Sequence, residues 1–293
     1  MRGIVLAGGL GTRLRPSTLA ISKHLFTIYD KPMIYYPLAT LMAAGVREIL
    51  LIADSHNLPL YKKLLQDGRQ LGMRFTYAVQ KKPTGIVDAF LIGKEFVGKS
   101  DCSLILGDNL FHGTGLGRQL MEIDTKSNSQ IFAHRVANPS QYGVVKFNSK
   151  GKVIKIIEKP KKFVSNFAVP GLYFFPNNVL RFAQEINLSR RGEREITTLL
   201  NLYLARGELN VSILPRGTAW LDTGSFDSLH DASSYVRIIE ERQGFKIACI
   251  EEIAWRQNWI TTQQLSKISK TLQPSPYGSY LQKLISDKEN KDW

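Results

Sequence analysis

Cysteine is scarce in this chain of 293 residues, where it occurs only at Cys102 and Cys249. The two positions lie far apart in the sequence, and neither belongs to a CxxC pair or to a zinc-ligand spacing. This usage argues against a small secreted domain held together by disulfides and against a zinc-ribbon fold. We expect both thiols to be reduced and buried, in a protein of the cytoplasm.

Long apolar runs are missing as well. No uninterrupted apolar run is long enough to span a membrane, so we expect no membrane partner. Glycines and arginines interrupt the apolar segment at the N-terminus, and the sequence therefore predicts no signal peptide. The chain also lacks internal repeats and low-complexity linkers, which favours one main domain over an array of small ones.

Acidic residues are few relative to basic ones. The chain has 39 Lys and Arg against 25 Asp and Glu, which gives a net charge of +14. This balance attracts polyanions such as nucleic acids, anionic lipids or phosphorylated metabolites. The cations are scattered, however, and no helix-turn-helix, RNP or basic-region pattern occurs, so we expect no nucleic-acid partner. Affinity for DNA or RNA that falls steeply with salt would be the signature of the alternative.

Glycine, in contrast, is concentrated near the N-terminus. Residues 4–24 read IVLAGGLGTRLRPSTLAISKH, a short apolar strand followed by glycines and cations. The backbone amides of such a loop can surround phosphate oxygens. The segment does not match a P-loop, because Thr-Arg-Leu follows Gly11. It does not match the dinucleotide fingerprint either, because Leu14 replaces the third glycine.

What remains in this segment is a set of amide donors with two well-separated cations. Arg13 offers a forked guanidinium and Lys23 offers a point charge. This combination suits a nucleoside triphosphate whose pyrophosphate leaves. A glycine turn that carries solvated basic side chains is the alternative.

The apolar runs predict an α/β fold. Buried strands are predicted at 2–7, 48–54, 74–80 and 102–108. Helices are predicted between them, from a cap at Asp30 to Gly45, over 59–72 and over 85–97. This order is typical of a Rossmann-like, mostly parallel sheet with helices on both faces. Because functional residues collect at the carboxyl ends of such strands, we expect residues 8–13, Asp54 and Asp108 to lie along one edge.

The second half of the chain has a different character. Segments 130–160 and 167–176 are rich in β-formers and polar turns, which predicts antiparallel hairpins. Residues 177–206 are predicted to be helical, 209–224 to return to strand, and the chain from about 226 onward to be mainly helical. The fold class we expect is therefore α/β, with a β-rich part and a C-terminal helical appendage.

Eight motifs in order connect the chain to a known family. They are LAGGLGTRLRPSTLAISKHLFTIYDKPMIYYPL, LGDN, YGVV, EKP, GLYFF, GEREIT, AWLDTGSFDSL and EEIAWRQ. The first resembles the signature of the sugar-1-phosphate nucleotidyltransferases. The full set resembles the short, single-chain glucose-1-phosphate thymidylyltransferases, over residues 3 to about 283.

The resemblance implies a reaction. In this family dTTP and α-D-glucose 1-phosphate give dTDP-glucose and pyrophosphate, the first step of dTDP-L-rhamnose biosynthesis. A phosphate oxygen of the sugar attacks the α-phosphorus in line, so the protein has to position the substrates and neutralise charge. The resemblance implies Mg²⁺ as cofactor, with Asp108 and Asp222 as its ligands. By position alone, a turn or a helix cap would explain either aspartate.

The resemblance also assigns the remaining site residues. The expected catalytic set is Arg13 on the departing pyrophosphate, Lys23 near the α-phosphate, Lys159 on the sugar phosphate, and the aspartates Asp108 and Asp222. The expected nucleotide-binding positions are Leu6, Gly8, Gly9, Gly11, Thr12, Arg13, His24, Gln80 and Gly85. The expected sugar-phosphate-binding positions are Gly143, Glu158, Lys159, Val169 and Gly171. Without the resemblance, EKP would be a charged turn and Gln80 a solvated strand end.

The chain departs from the family pattern near the expected base and sugar pockets. His24 replaces a glutamine, Thr84 an aspartate, Asp88 a glutamine and Pro170 a threonine. An imidazole can titrate near neutral pH, so one hypothesis is that these changes alter the pH dependence or the nucleotide choice. Transfer with another nucleotide or hexose phosphate, such as UTP, therefore stays open, as does a non-catalytic nucleotide-sensing paralogue.

The C-terminal part has its own expectations. The resemblance implies a catalytic domain over 1–236 and a helical region over 237–293 that provides subunit contacts of a homotetramer. It also implies a second nucleotide site that dTDP-rhamnose fills as an allosteric inhibitor. Glu251, Glu252 and Arg256 match the family stretch concerned. A helical cap over exposed sheet edges is the alternative.

Overall fold

A computed structural model describes residues 1–287, so the last six residues of the predicted C-terminal helical region, 288–293, lie outside the described residues. Strands and helices alternate along most of the chain. The strands are β1 Arg2–Leu6, β2 Thr27–Ile28, β3 Lys31–Pro32, β4 Glu48–Ala53, β5 Arg74–Val79, β6 Cys102–Leu106, β7 Asn109–His112, β8 Ser129–Arg135, β9 Gly143–Phe147, β10 Val153–Glu158, β11 Phe167–Ala168, β12 Leu172–Phe175, β13 Leu209–Ile213 and β14 Ala219–Asp222. The α-helices are α1 Tyr35–Ala43, α2 Leu58–Leu65, α3 Asp88–Ile92, α4 Lys94–Val97, α5 Leu116–Met121, α6 Val179–Glu185, α7 Ile196–Ala205, α8 Phe226–Gln243, α9 Ile250–Arg256, α10 Thr262–Thr271 and α11 Pro276–Ser286.

One mixed sheet of ten strands organises the fold. Its first half is parallel: β1 lies between β4 and β6, and β5 extends the sheet beyond β4. The register places Ile4 opposite both Leu50 and Leu104. The inner strands β1, β4 and β6 are mostly buried apolar runs because helices cover both faces of the sheet, whereas the edge strand β5 is partly exposed. The predicted α/β fold, with a parallel sheet flanked by helices, is confirmed.

The second half of the sheet is mainly antiparallel. Strand β12 pairs with β6 and with β8, and the sheet then continues through β11 and β9 to β10. Strand β13 joins β8 in parallel. The predicted β-rich middle of the chain is therefore an extension of the same sheet, and β6 is the strand at which the two halves join.

Five predicted elements differ from the structure. The helix predicted over 59–72 ends at Leu65, and the one predicted over 85–97 is two short helices, α3 and α4. The helix expected from Asp30 begins only at Tyr35, because β2 and β3 form a two-stranded hairpin before it. Residues 177–206 contain two helices, α6 and α7, separated by a loop. The strand predicted over 209–224 is two strands. A turn at Gly217, whose φ is 92°, lets β13 stay in the large sheet while β14 pairs with β7 in a separate ribbon.

The two faces of the sheet support two apolar cores, because successive side chains of a strand point to opposite faces. Val5, Ile49 and Ile105 lie in one core, and Ile4 and Leu50 lie in the other. Helices α1, α9, α10 and α11 contribute to the first core, and α3, α6 and α7 to the second. The C-terminal helices thus share a core with the N-terminal strand. Within residues 1–287 no helix is long and apolar enough to cross a membrane.

Candidate active site

The glycine loop after β1 is shaped by close contacts that only glycine permits. A Cβ atom on Gly8 would overlap the Oε1 atom of Gln80, which lies directly after β5. Gly9 and Gly11 have φ angles of 97° and 54°, in the left-handed region that favours glycine. The loop backbone therefore contacts the Gln80 side chain closely, at the carboxyl edge of the parallel strands.

Arg13 reaches the same edge from the short 3₁₀ turn Thr12–Leu14. Leu14, which takes the place of the third glycine of a dinucleotide fingerprint, is fully buried and anchors this turn. A Cβ atom on Gly224 would lie 2.9 Å from Nη2 of Arg13 and 3.2 Å from Oδ1 of Asp222. The guanidinium and the Asp222 carboxylate therefore lie together above the bare backbone of Gly224.

Asp108 and Asp222 lie at one end of the β7–β14 ribbon. Asp222 ends β14 and pairs with Asn109, the first residue of β7, and Asp108 directly precedes that residue. Lys23 donates a short hydrogen bond and forms an ion pair with Oδ2 of Asp108. The amide and hydroxyl groups of Thr223 donate to the Asp108 carbonyl at 3.2 and 2.9 Å. The ribbon thus fixes two carboxylates and one ammonium group in one cleft.

The two carboxylates differ in pKa. Burial and the negative charge of Asp108 raise the pKa of Asp222 to about 6. Burial also acts to raise the pKa of Asp108, but the Lys23 ammonium and two hydrogen bonds outweigh it and bring the pKa to about 2. Two carboxylates that repel each other are stabilised by a hard divalent cation between them.

These carboxylates fit such a cation if phosphate oxygens supply further ligands of its coordination sphere. No group of three or more His, Cys, Asp or Glu side chains within residues 1–287 could hold a metal by itself. Two carboxylates leave most positions of an octahedral ion to water and substrate phosphates, as Mg²⁺ prefers. Asp108 and Asp222 are the residues that would hold it.

Asn109 organises this cleft, although the sequence analysis did not single it out. Its side chain is buried, and its Nδ2 atom donates to Oδ1 of Asp108 at 2.9 Å. Its Oδ1 atom accepts from the Gly171 amide at 3.0 Å and from the Trp220 indole at 2.6 Å. One amide therefore links a predicted metal ligand to the predicted sugar pocket. Its place beside Asp108 in the LGDN motif was the available signal.

Two adjoining cavities of about 200 Å³ each open on the cleft. The first is lined by six predicted nucleotide-binding residues: Leu6, Gly8, Gly9, His24, Gln80 and Gly85. The second is lined by Arg13, Asp222 and all five predicted sugar-phosphate residues, which are Gly143, Glu158, Lys159, Val169 and Gly171. Asp108 lines both cavities. Gly11 and Thr12 line neither, and Lys23 faces a third opening beside Gly8 and Gly9.

His24 has a defined protonation state. Its Nδ1 atom lies 3.0 Å from the hydroxyl of Ser22, which itself accepts from the Tyr61 hydroxyl at 2.9 Å. The Ser22 proton is then available to Nδ1, which assigns the ring hydrogen to Nε2. Burial and the neighbouring Lys23 lower the pKa of His24 to about 3. The hypothesis that this imidazole titrates near neutral pH is therefore wrong, and His24 offers a constant N–H donor.

The second cavity contains carboxylates beyond the predicted Glu158. Glu195 also lines it, and Arg191 bridges the two, at 3.3 Å from Glu158 and 3.4 Å from Glu195. Burial and the charge of Glu195 raise the pKa of Glu158. Lys159 follows Glu158 directly, has a φ of 39° and donates its amide to the Tyr142 carbonyl at 3.0 Å. The GEREIT motif was the signal for Glu195, which the sequence analysis missed.

The residues expected at a second nucleotide site lie in another part of the chain. Glu251 accepts from the Tyr277 hydroxyl at 2.6 Å, and Glu252 accepts from the Tyr280 hydroxyl at 2.5 Å. Glu252 also accepts from Nε of Arg256 at 2.8 Å. These carboxylates connect α9 to α11.

Comparisons with known proteins show the family to which this chain belongs. The nucleotidyl transferase family model matches residues 2–237. A glucose-1-phosphate thymidylyltransferase of Mycolicibacterium smegmatis is 52% identical over 289 residues, which cover 99% of this chain and 100% of that protein. One from Neisseria meningitidis serogroup A is 46% identical over 286 residues, covering 97% and 99%.

Solved structures give the same result. One described as a glucose-1-phosphate thymidylyltransferase from Bacillus anthracis, in complex with sucrose, aligns with a TM-score of 0.75 and 34% identity over 81% of this chain and 95% of that one. A UDP-glucose pyrophosphorylase complexed with UDP-glucose shares the fold, with a TM-score of 0.70 and 24% identity over 81% and 98%. This chain therefore belongs to the nucleotidyl transferase family, and within it to the glucose-1-phosphate thymidylyltransferases.

Proposed function

We propose that this protein transfers the thymidylyl group of dTTP to α-D-glucose 1-phosphate, giving dTDP-glucose and pyrophosphate, as the first step of dTDP-L-rhamnose biosynthesis. The observation that carries the proposal is the position of Asp108, which lines both adjoining cavities, while Asp222 and Arg13 line one of them. Two anionic substrates can meet there beside fixed cations. The names of the relatives support this substrate pair.

The chemistry requires positioning rather than a protein nucleophile. The attacking phosphate of the sugar is already ionised, so no side chain has to remove its proton. Lys159 would hold this phosphate in the second cavity. Lys23 would neutralise charge at the α-phosphate, and Arg13 would bind the pyrophosphate as it leaves. The Lys23–Asp108 ion pair keeps that ammonium in place before substrate arrives.

We further propose Mg²⁺ as the ion that Asp108 and Asp222 hold. When bound, it would screen the phosphate charges that otherwise keep the two substrates apart. The hydrogen bond from Asn109 to Oδ1 of Asp108 would help to orient this carboxylate toward the ion. The Thr223 contacts do the same for the backbone of the ribbon.

Base recognition would use Gln80 and His24. The Gln80 side chain is buried, and the Gly8 backbone lies directly against its amide. The Nε2–H group of His24 adds a donor, where the family usually has a glutamine that both donates and accepts. Transfer from UTP instead of dTTP is the alternative, since the two bases differ by one methyl group.

Pyrophosphate release by the purified protein tests the proposal. Glucose 1-phosphate and Mg²⁺ are supplied with dTTP or with UTP in parallel, and Asp222→Asn serves as a folded, inactive control. We expect faster release with dTTP, and none from the variant. Faster release with UTP would overturn the nucleotide assignment. Binding of both nucleotides without turnover would indicate a sensing paralogue.

We also propose the regulation and assembly that the resemblance implies. Residues 1–236 would form the catalytic domain, and residues 237–293 would carry subunit contacts of a homotetramer and a site for dTDP-rhamnose as allosteric inhibitor. A cytoplasmic location is supported by the two buried thiols. Sedimentation gives the oligomeric state, and dTDP-rhamnose added to the pyrophosphate assay tests the inhibition. Unchanged rates at saturating dTDP-rhamnose would contradict the regulatory site.

A further inference from the structure

Two loops form the wall where the adjoining cavities meet. Residues 83–88, the base-side segment, contribute Pro83, Gly85 and Ile86 to the first cavity. Residues 186–195, the sugar-side loop, contribute Glu193 and Glu195 to the second, and Glu193 also lines the first. Ile86 and Glu193 each line both cavities, so the two loops meet at the boundary between the cavities. The relative position of the loops therefore contributes to the geometry of that boundary.

Arg194 of the sugar-side loop contacts the base-side segment through its backbone. Its amide donates to the Thr84 carbonyl at 2.8 Å. A Cβ atom on Gly85, whose φ is 119°, would lie only 2.5 Å from the Arg194 carbonyl oxygen. The two backbones thus touch at the position where the resemblance expects an amide to contact the base.

The Arg194 side chain makes a second connection. Its Nη1 atom forms an ion pair with Oδ1 of Asp88 at 2.7 Å, and its Nε atom donates to the Ile186 carbonyl at 3.0 Å. Asp88 is 7% exposed, and its other oxygen accepts a short hydrogen bond from the Thr84 hydroxyl. One guanidinium therefore connects both ends of the sugar-side loop to the start of α3.

Two of the departures from the family pattern meet in this network. Thr84 and Asp88 contact each other, and Arg194 contacts both. Neither Asp88 nor Arg194 lines either of the two cavities described above. Their role is therefore one of support, not of substrate contact.

We propose that Asp88 and Arg194 are positioning residues whose ion pair, the Asp88–Arg194 bridge, holds the two cavities at the separation that a nucleoside diphosphate sugar requires. This inference rests on the proposed function, because it assigns the base to the first cavity and the sugar to the second. A ligand that fills one cavity needs only local geometry. A ligand that spans both cavities needs the two loops in a fixed relative position. Its affinity is therefore higher when the bridge holds them there before the ligand binds.

Binding measurements on three ligands separate this role from a merely local one. Calorimetric titrations of wild type, Asp88→Asn and Arg194→Gln use dTDP-glucose, dTTP alone and glucose 1-phosphate alone. The last two ligands cannot react without each other. We expect the variants to bind dTDP-glucose about tenfold more weakly, as for loss of one charged hydrogen bond. Affinity for each single substrate should change less than about threefold.

A double variant and a matched control complete the test. Asp88→Asn combined with Arg194→Gln should lose no more affinity than either single change, because both remove the same bridge. Arg237→Gln removes an exposed ion pair with Glu241 on α8 and should leave all three affinities unchanged. Thermal unfolding identifies any variant that fails to fold. Asp88→Asn preserves the side-chain shape, so it still tests the bridge if Arg194→Gln does not fold.

The outcomes are distinct. Equal loss for all three ligands, or no loss for dTDP-glucose, overturns the bridge as a positioning device. UDP-glucose is titrated in parallel. If wild type prefers UDP-glucose, the nucleotide assignment fails, and the role of the bridge is then tested by comparing the variants' loss of affinity for UDP-glucose with their loss for each single substrate. If wild type binds neither nucleotide sugar, both the proposed function and this inference fail.

Discussion

The indole nitrogen of Trp220 donates a 2.6 Å hydrogen bond to Oδ1 of Asn109, across the β7–β14 ribbon. The same oxygen accepts from the Gly171 amide, and the other end of the amide group holds Asp108. A side chain that is 3% exposed thus satisfies three groups at once. Removing it leaves the Trp220 and Gly171 donors unpaired at a buried position, which destabilises the fold.

Asn109→Leu should therefore reduce both activity and stability. The leucine has a similar volume but can accept nothing from Trp220 or Gly171. We expect kcat to fall about 100-fold through the misplaced Asp108, and the free energy of unfolding to fall by about 2 kcal/mol. Steady-state kinetics and urea unfolding measure the two effects. Asn128→Leu is the control, because the half-buried Asn128 makes one side-chain hydrogen bond, to Oδ1 of Asn210. Equal effects at both positions would contradict a special role for Asn109.

His24→Gln should leave the pH profile of activity between pH 6 and 9 unchanged, because the wild-type imidazole stays neutral there. Stability should respond differently. The folded-state pKa of about 3 lies below the ordinary value of 6.5, so the unfolded chain binds a proton first as the pH falls. Wild type should therefore lose about 2 kcal/mol more than the variant between pH 7 and pH 5. Urea unfolding at both pH values measures the difference. If wild type and variant lost the same free energy of unfolding between pH 7 and pH 5, His24 would be protonated in the folded protein.

Gly8→Ala should weaken nucleotide binding. The new methyl group would overlap Oε1 of Gln80 and has to displace that side chain from the base cavity. We expect the KM for dTTP to rise about tenfold, with the KM for glucose 1-phosphate nearly unchanged. Gly117→Ala is the matched control, because its methyl group would meet only Ala43 at an ordinary 3.6 Å. A rise confined to the sugar substrate would contradict the assignment of the two cavities.

Lys31→Met should destabilise the fold. Lys31 is 2% exposed and lies 2.5 Å from Asp30 and 2.8 Å from the buried Glu240. Its loss leaves two carboxylates facing the single ammonium of Lys246 in a buried cluster. We expect the free energy of unfolding to fall by about 3 kcal/mol.

Urea unfolding of Arg237→Met provides the comparison for that change. This variant removes one partner of an exposed ion pair and should lose less than about 1 kcal/mol. Similar losses at positions 31 and 237 would show that burial does not decide the value of these ion pairs.

The sequence predicts the parallel half of the fold well, because its strands are short apolar runs bounded by glycines. The strands predicted at 2–7 and 102–108 are observed as β1 and β6, with bounds that differ by one or two residues. The hairpin before α1 was missed for a physical reason. Asp30 and Pro32 look like a helix start, but Lys31 pairs with the buried carboxylate of Glu240, far along the chain. No local pattern reports such a partner.

The site was predictable in part. Strand ends and glycines pointed to residues 8–13 and to Asp108, and the resemblance supplied the sugar-side positions. Asn109, Glu195 and the Asp88–Arg194 bridge were not predicted, because each depends on contacts between segments far apart in the sequence. The pKa of His24 was missed for the same reason, since its burial is a property of the assembled fold.

The β7–β14 ribbon has a consequence for biosynthesis. The strands β1, β4, β5 and β6, which carry the glycine loop and lead to Asp108, are complete once about 110 residues have been translated. Asp222 joins Asp108 only after twice that length has left the ribosome. A nascent or truncated chain that stops before β14 therefore contains the glycine loop and Asp108 but lacks the second carboxylate. The ribbon thus makes the two-carboxylate site depend on translation through residue 222 of 293, and a chain that terminates earlier lacks that site.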